Sequence, residues 1–168
     1  MKRSNIVNSA LPAIVIGLLA LTLAPMPADA ATATTTFAVT ATVVATCLIS
    51  ATPLGFGNYT GVVDPASSTV TITCTNTTPY NVGLSAGLAT GATVTTRSMT
   101  GPASALLGYG LFTNAGHTTN WGLTIGTDTV TGTGNGAAQP ITVFGQIPAA
   151  EFVAPGAYAD TITATVTF

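Results

Sequence analysis

Few residues in this 168-residue chain are equipped for chemistry. The single histidine, His117, sits in Asn114-Ala115-Gly116-His117, a turn composition with no partner nearby in sequence to orient a general base, so it reads as an exposed loop residue. The carboxylates Asp64, Asp128, Glu151 and Asp160 are scattered, and no two stand at a spacing that points to a glycosidase pair. Gly132-Thr133-Gly134-Asn135-Gly136 lacks the strand-then-helix context of a phosphate loop and reads as a flexible turn. The sequons Asn58-Tyr59-Thr60 and Asn76-Thr77-Thr78 are what chance supplies in so threonine-rich a chain, and they are given no role. Trp121 and Tyr109 fall in apolar alternation, which makes them core aromatics and not a sugar platform. No catalytic residue, cofactor site or metal site is therefore assigned. What remains is the pair Cys47 and Cys74. A metal would want more Cys or His ligands, whereas an even cysteine count in an exported chain predicts a disulfide. Closing the 27 residues from 47 to 74 should stabilise the fold by roughly 3–4 kcal/mol on the chain-entropy model.

Export is read from the first thirty residues. Lys2 and Arg3 supply a positive start, Ala13 to Ala24 is apolar, and Ala28-Asp29-Ala30 fits a small-x-small cleavage rule. The apolar run is short for a membrane span and is closed by Pro25 and Pro27. Residues 1–30 thus read as a secretory signal peptide, with Ala31 first in the mature chain and no membrane insertion of that mature chain. The mature 138 residues keep one basic side chain, Arg97, against four acids, a net charge of +1 − 4 = −3. Such a surface has no basic patch and excludes nucleic acid as a partner. It also gives little repulsion between copies, which suits a chain that packs against itself.

The elements that must position these residues are strands. Threonine, branched at Cβ and favouring strands, fills 33 of the 138 mature positions. Period-2 alternation runs through Ser68 to Cys74, with Val70, Ile72 and Cys74 on one face. It recurs at Tyr80, Val82 and Leu84; at Leu107, Tyr109 and Leu111; at Trp121, Leu123 and Ile125; at Ile141, Val143, Gly145 and Ile147; and at Ile162, Ala164, Val166 and Phe168. A short polar strand is expected over Thr93 to Thr96. Gly and Pro clusters separate the runs, and no 3.6-residue period is sustained. Short strands at this spacing predict one all-β sandwich or barrel. The first alternating stretch of the mature chain is Thr36 to Cys47. Phe37, Val39, Ala41, Val43 and Ala45 form its apolar face, and Thr36, Ala38, Thr40 and Thr42 most of the other. A strand of this kind either closes its own sheet or is lent to another molecule.

At the C-terminus, Ile141-Thr-Val-Phe-Gly-Gln-Ile-Pro148 and Pro155-Gly-Ala-Tyr-Ala-Asp-Thr-Ile-Thr-Ala-Thr-Val-Thr-Phe168 resemble the end of a spore coat protein U domain, the domain of subunits in archaic chaperone–usher pili. The most specific part is the Gly-x-Tyr-x-Asp-Thr turn from Gly156 to Thr161, with a strand ending on an aromatic behind it. The two cysteines, Leu107-Gly-Tyr109-Gly-Leu-Phe112 and Trp121-Gly122 agree, so the resemblance covers essentially the whole mature chain. Leu123-Thr124-Ile125, more apolar than the family's usual turn, is a departure that bears on local loop shape.

The resemblance implies an incomplete immunoglobulin-like β-sandwich, completed by a donor strand from a neighbouring subunit. Its domains would be residues 31–46, an N-terminal donor-strand extension plugging a neighbour through Phe37, Val39, Ala41, Val43 and Ala45, and residues 47–168, the pilin domain. The implied partners are other copies or related pilins, a periplasmic chaperone and an outer-membrane usher. The implied place is the cell surface, in an adhesive pilus supporting attachment and biofilm formation. Tyr158 and Asp160 are structural turn residues, Tyr158 reading equally as a tyrosine corner or a half-buried turn aromatic. Two non-enzymatic alternatives stay open: a self-contained exported sandwich that binds a carbohydrate or surface ligand, and a structural coat protein.

Overall fold

A computed structural model describes residues 30–168. The signal peptide expected over residues 1–30 lies, but for its last residue, outside them. Among the described residues, no helix is long and apolar enough to cross a membrane. Residues 30–46 carry no regular secondary structure, and their side chains are exposed. Of the strand expected from Thr36 to Cys47, only Cys47 lies in a strand here. Alternation gives a strand a face but no hydrogen-bond partner, and no strand pairing is made before Cys47.

The body of the protein is built from eight strands: β1 (Cys47–Ala51), β2 (Asp64–Cys74), β3 (Pro79–Leu84), β4 (Arg97–Thr100), β5 (Leu106–Phe112), β6 (Val130–Thr133), β7 (Gln139–Ile147) and β8 (Ala164–Thr167), with one short 3₁₀ turn at Pro102–Ser104. One sheet has the order β1-β2-β7-β5-β4 and the other β6-β3-β8, and every pairing is antiparallel. The two sheets face each other across a single core. Val70, Ile72 and Cys74 of β2, Val143 and Ile147 of β7, and Leu107, Tyr109 and Leu111 of β5 line one side, and Tyr80, Val82 and Leu84 of β3 the other. These are the residues alternation selected, because in a half-buried sheet every second side chain must leave water.

Three local expectations are corrected. Thr93 to Thr96 is a turn, not a strand, and β4 begins at Arg97. Its hydroxyls bond within the turn, Thr93 Oγ1 to Thr96 Oγ1 at 2.8 Å and the Thr93 N–H to Thr96 Oγ1 at 3.1 Å, in competition with any ladder. Trp121 is fully buried, but Leu123 and Ile125 are exposed. Asp128 folds that segment back, its Oδ1 accepting the Thr124 N–H at 2.6 Å and its backbone N–H donating to the Thr124 carbonyl at 3.0 Å. The last strand is shorter than the alternation from Thr161 to Phe168, and Phe168 is exposed. Strands β1, β4 and β6 had no clear signal of their own; each is four or five residues long and carries at most a few apolar side chains.

Candidate functional site

The two sheets are not closed along one side. β8 pairs with β3 through Asn81–Thr167, Val82–Val166, Gly83–Thr165 and Leu84–Ala164, and β1 pairs with β2 from Cys47–Cys74 to Ala51–Val70. Both are edge strands, and among the described residues nothing hydrogen-bonds as a strand to their remaining edges. Between them opens a groove of about 420 Å³. Val70, Leu84, Leu111 and Val143 lie at its floor, Ala51, Ile162 and Ala164 at its rim, and Tyr158 to Thr161 at one end.

The side chains of β8 and of the segment just before it show what the opening costs. Ile162, Ala164 and Val166 keep the inward period and pack on the core, yet each is only half-buried. On β3, the neighbouring row Tyr80, Val82 and Leu84 is fully buried. Ile49 on the facing edge strand is half-buried in the same way. An inward row left half-covered beside an unpaired strand edge is an apolar opening.

Several devices hold the slot open and in shape. The Cys47–Cys74 disulfide, expected from compartment and count, ties β1 to β2. Arg97 crosses the sandwich from β4 and is 1% exposed. Its guanidinium donates to four backbone carbonyls: Ser85 at 2.8 Å from Nε, Val94 at 2.7 Å from Nη1, and Leu84 at 3.1 Å and Trp121 at 2.6 Å from Nη2. Burial lowers its pKa, with Tyr109, Asp160 and Asp128 opposing. Trp121 donates its indole N–H to the Val82 carbonyl at 2.8 Å, so a residue beyond the end of β5 pins the middle of β3. Both aromatics singled out in sequence, Trp121 and Tyr109, are core residues.

Asp160 closes one end of the groove. Its Oδ1 accepts the backbone N–H groups of Leu88 at 2.8 Å and Thr161 at 2.7 Å, and its Oδ2 accepts the Tyr109 hydroxyl at 2.6 Å. Burial first, then this hydrogen bond and the carboxylate's charge, push the Tyr109 pKa well above the ordinary tyrosine range, while Arg97 pulls the other way. Tyr158 is half-buried, and its hydroxyl donates to the Ala154 carbonyl at 2.7 Å, four residues upstream. Backbone bonds between Thr100 and Ala159 at 2.9 and 3.1 Å dock this turn onto β4.

In the groove's lining, Leu54 and Phe56 reach from the segment after β1 over Gly145 of β7. A Cβ placed at Gly145 would stand 2.9 Å from Leu54 Cδ1 and 3.0 Å from Phe56 Cζ. The glycine inside that strand is there for close approach. Neither the Arg97 hub nor this plug was identified from sequence. The available hints were the one cation left in the mature chain and a glycine on the inward period of an otherwise bulky strand.

Of the other predicted residues, Phe37, Val39, Ala41, Val43 and Ala45 are all exposed. His117 is half-buried rather than fully exposed, its ring edge-on to Phe112 with centroids 5.3 Å apart, because its turn folds over the outer face of β5. Among the described residues, no group of three or more His, Cys, Asp or Glu is placed to hold a metal ion.

Known proteins are similar to this chain. Residues 33–165 match the model of the Spore Coat Protein U domain. Protein U of Myxococcus xanthus is 33% identical over 159 residues, covering 84% of this chain and 88% of that protein. Among solved structures, the CsuC–CsuE chaperone–tip adhesion subunit pre-assembly complex from archaic chaperone–usher Csu pili of Acinetobacter baumannii contains a similar chain. The TM-score is 0.59 at 27% identity, over 76% of this chain and 41% of that one, so this chain spans about two-fifths of its length. The sandwich is the immunoglobulin-like fold of such pilus subunits.

Proposed function

This chain belongs to the spore coat protein U domain family, and from that premise we propose that it is a structural, non-enzymatic subunit of a surface pilus, polymerised when residues 31–46 of one copy fill the groove of the next. The observation that carries this reading is the half-covered inward row Ile162, Ala164 and Val166 beside the unpaired edge of β8. A donated strand would cover that row and satisfy the edge, as in other cases of β-strand addition. Phe37, Val39, Ala41, Val43 and Ala45 have the matching alternation, and all are exposed and free of secondary structure. Burying Phe37, Val39 and Val43 would each contribute roughly 1.5–3 kcal/mol, with ladder hydrogen bonds in addition. Before assembly the same slot needs a temporary occupant, the role of a periplasmic chaperone, with an outer-membrane usher as the site of exchange. The likeness to a chain from a chaperone–subunit complex supports that route. The fibre would serve surface attachment and biofilm formation.

A self-contained binding module would need residues 36–46 as a strand of its own sheet, which the lack of secondary structure there speaks against. The test is a Val43→Asp variant, which places a charge where an apolar plug is required. It should stop fibre growth while leaving the folded body intact, and normal fibres by electron microscopy would contradict the plug assignment.

A further inference from the structure

Away from the groove the largest exposed apolar side chain held in place is Phe152, which is 86% exposed. It does not hang from a loose loop. Its ring lies over Gly61, where a Cβ would stand 3.0 Å from Phe152 Cε1. The Ala150 N–H donates to the Gly61 carbonyl at 2.9 Å. The Tyr59 hydroxyl donates to the Pro148 carbonyl at 2.5 Å and accepts the Glu151 N–H at 3.1 Å. These bonds lock the loop before β2 to the loop after β7, and the adjoining Val62 is 63% exposed. A cleft of about 860 Å³ runs between the two loops, is lined by Phe152, and adjoins the groove through the shared residues Leu54, Phe56, Met99 and Tyr158. A rigidly presented apolar patch is a mark of an interface.

The tether identifies the occupant, and this step rests on the donor-strand reading above. Ala45 is the last plug residue and Cys47 the first residue of β1, locked to Cys74. Two residue steps span at most about 7 Å. A copy whose extension fills a groove must therefore bring its disulfide end right up to the groove's exit. Every strand pair in this fold is antiparallel, the more stable arrangement per residue. A donor antiparallel to β8 puts its Ala45 end beside Ala164 and Ile162, the end bounded by Tyr158 to Thr161, where the cleft begins. The donating copy has its own unexplained apolar pair there. Val44 and Leu48 are each 70% exposed, and the period of 2 sets both on the face opposite the plugs, where threonine otherwise dominates.

We infer that Phe152 and Val62 of one copy pack against Val44 and Leu48 of the copy whose strand it holds, forming a second joint outside the groove. The groove gives the connection its strength, and this seam restricts the angle between successive copies.

The test is photo-crosslinking in fibres of the full mature chain, with p-benzoylphenylalanine replacing Phe152 in one preparation and Phe37 in another. Phe37 takes the control position because it reports groove filling alone. With the probe at 152, irradiation should shift most of the chain from monomer to dimer and higher species on a denaturing gel, and the crosslinked peptide should map to residues 44–48 of a second copy. If the probe at 37 reaches Val166 to Phe168, at the far end of a neighbour's groove, but the probe at 152 gives only monomer or maps elsewhere, the seam is wrong and the donor strand stands. If the probe at 37 does not reach a neighbour's groove, the donor reading fails and the seam placed through it falls as well.

Discussion

Replacing Arg97 by Met removes the one cation of the body and keeps an apolar stem of similar length. Four carbonyls lose their donor, those of Leu84, Ser85, Val94 and Trp121. An unpaired buried polar group costs about 1–3 kcal/mol. The bonds to Leu84 and Trp121 are the buried ones, whereas those to Ser85 and Val94 are only part-buried and nearer to replacement by water. Relief from burying the guanidinium's charge offsets part of the loss, since burial already depresses its pKa. The balance is a loss of about 3–5 kcal/mol, most of it from the two buried carbonyls left unpaired. A domain of this size holds about 5–15 kcal/mol in total, so the melting point should fall on the order of 10–20 °C. Circular dichroism on the oxidised mature chain measures this. Arg97→Lys should recover less than half of the loss, because a compact ammonium with three donors cannot reproduce a planar fork aimed at four fixed carbonyls. A Met variant melting within about 3 °C of the parent would refute the view that Arg97 ties the two sheets together.

The Tyr109 hydroxyl predicts an alkaline limit. Its folded pKa is raised, so the stability it contributes is fully present below the unfolded tyrosine value of about 10 and is lost as pH rises above it. Unfolding free energy should fall above about pH 10 by up to about 1.4 kcal/mol per pH unit, and Tyr109→Phe should flatten that limb in denaturant titrations at pH 9 to 12. Reducing the Cys47–Cys74 bond should lower stability by roughly 3–4 kcal/mol, read as a shift in urea midpoint without loss of the β spectrum.

Sequence carried the fold further than it carried the site. Alternation was readable wherever a strand buries one face in a single chain, as at Val70, Ile72 and Cys74 or Tyr80, Val82 and Leu84, because burial writes the period directly. It misled at Leu123 and Ile125, where spacing was right but Asp128 turns the segment back on itself. Short polar strands such as β6 left no trace, since their pairing rests on backbone groups that every residue carries. The groove could not be read locally at all. It is a missing neighbour, visible only once β1 and β8 lie beside each other unpaired. Tyr158 and Asp160 were legible as turn residues, but the partners of Asp160, Leu88 and Tyr109, lie 72 and 51 residues away.

The most direct test of the central claim is complementation. Residues 31–45 are deleted, and the remainder is purified oxidised and melted with and without a synthetic Thr34–Ala45 peptide. The donor-strand account predicts a large rise in melting temperature with the peptide, abolished when its Val39 and Val43 positions carry Asp. A truncated chain as stable as the full one and indifferent to the peptide would contradict it.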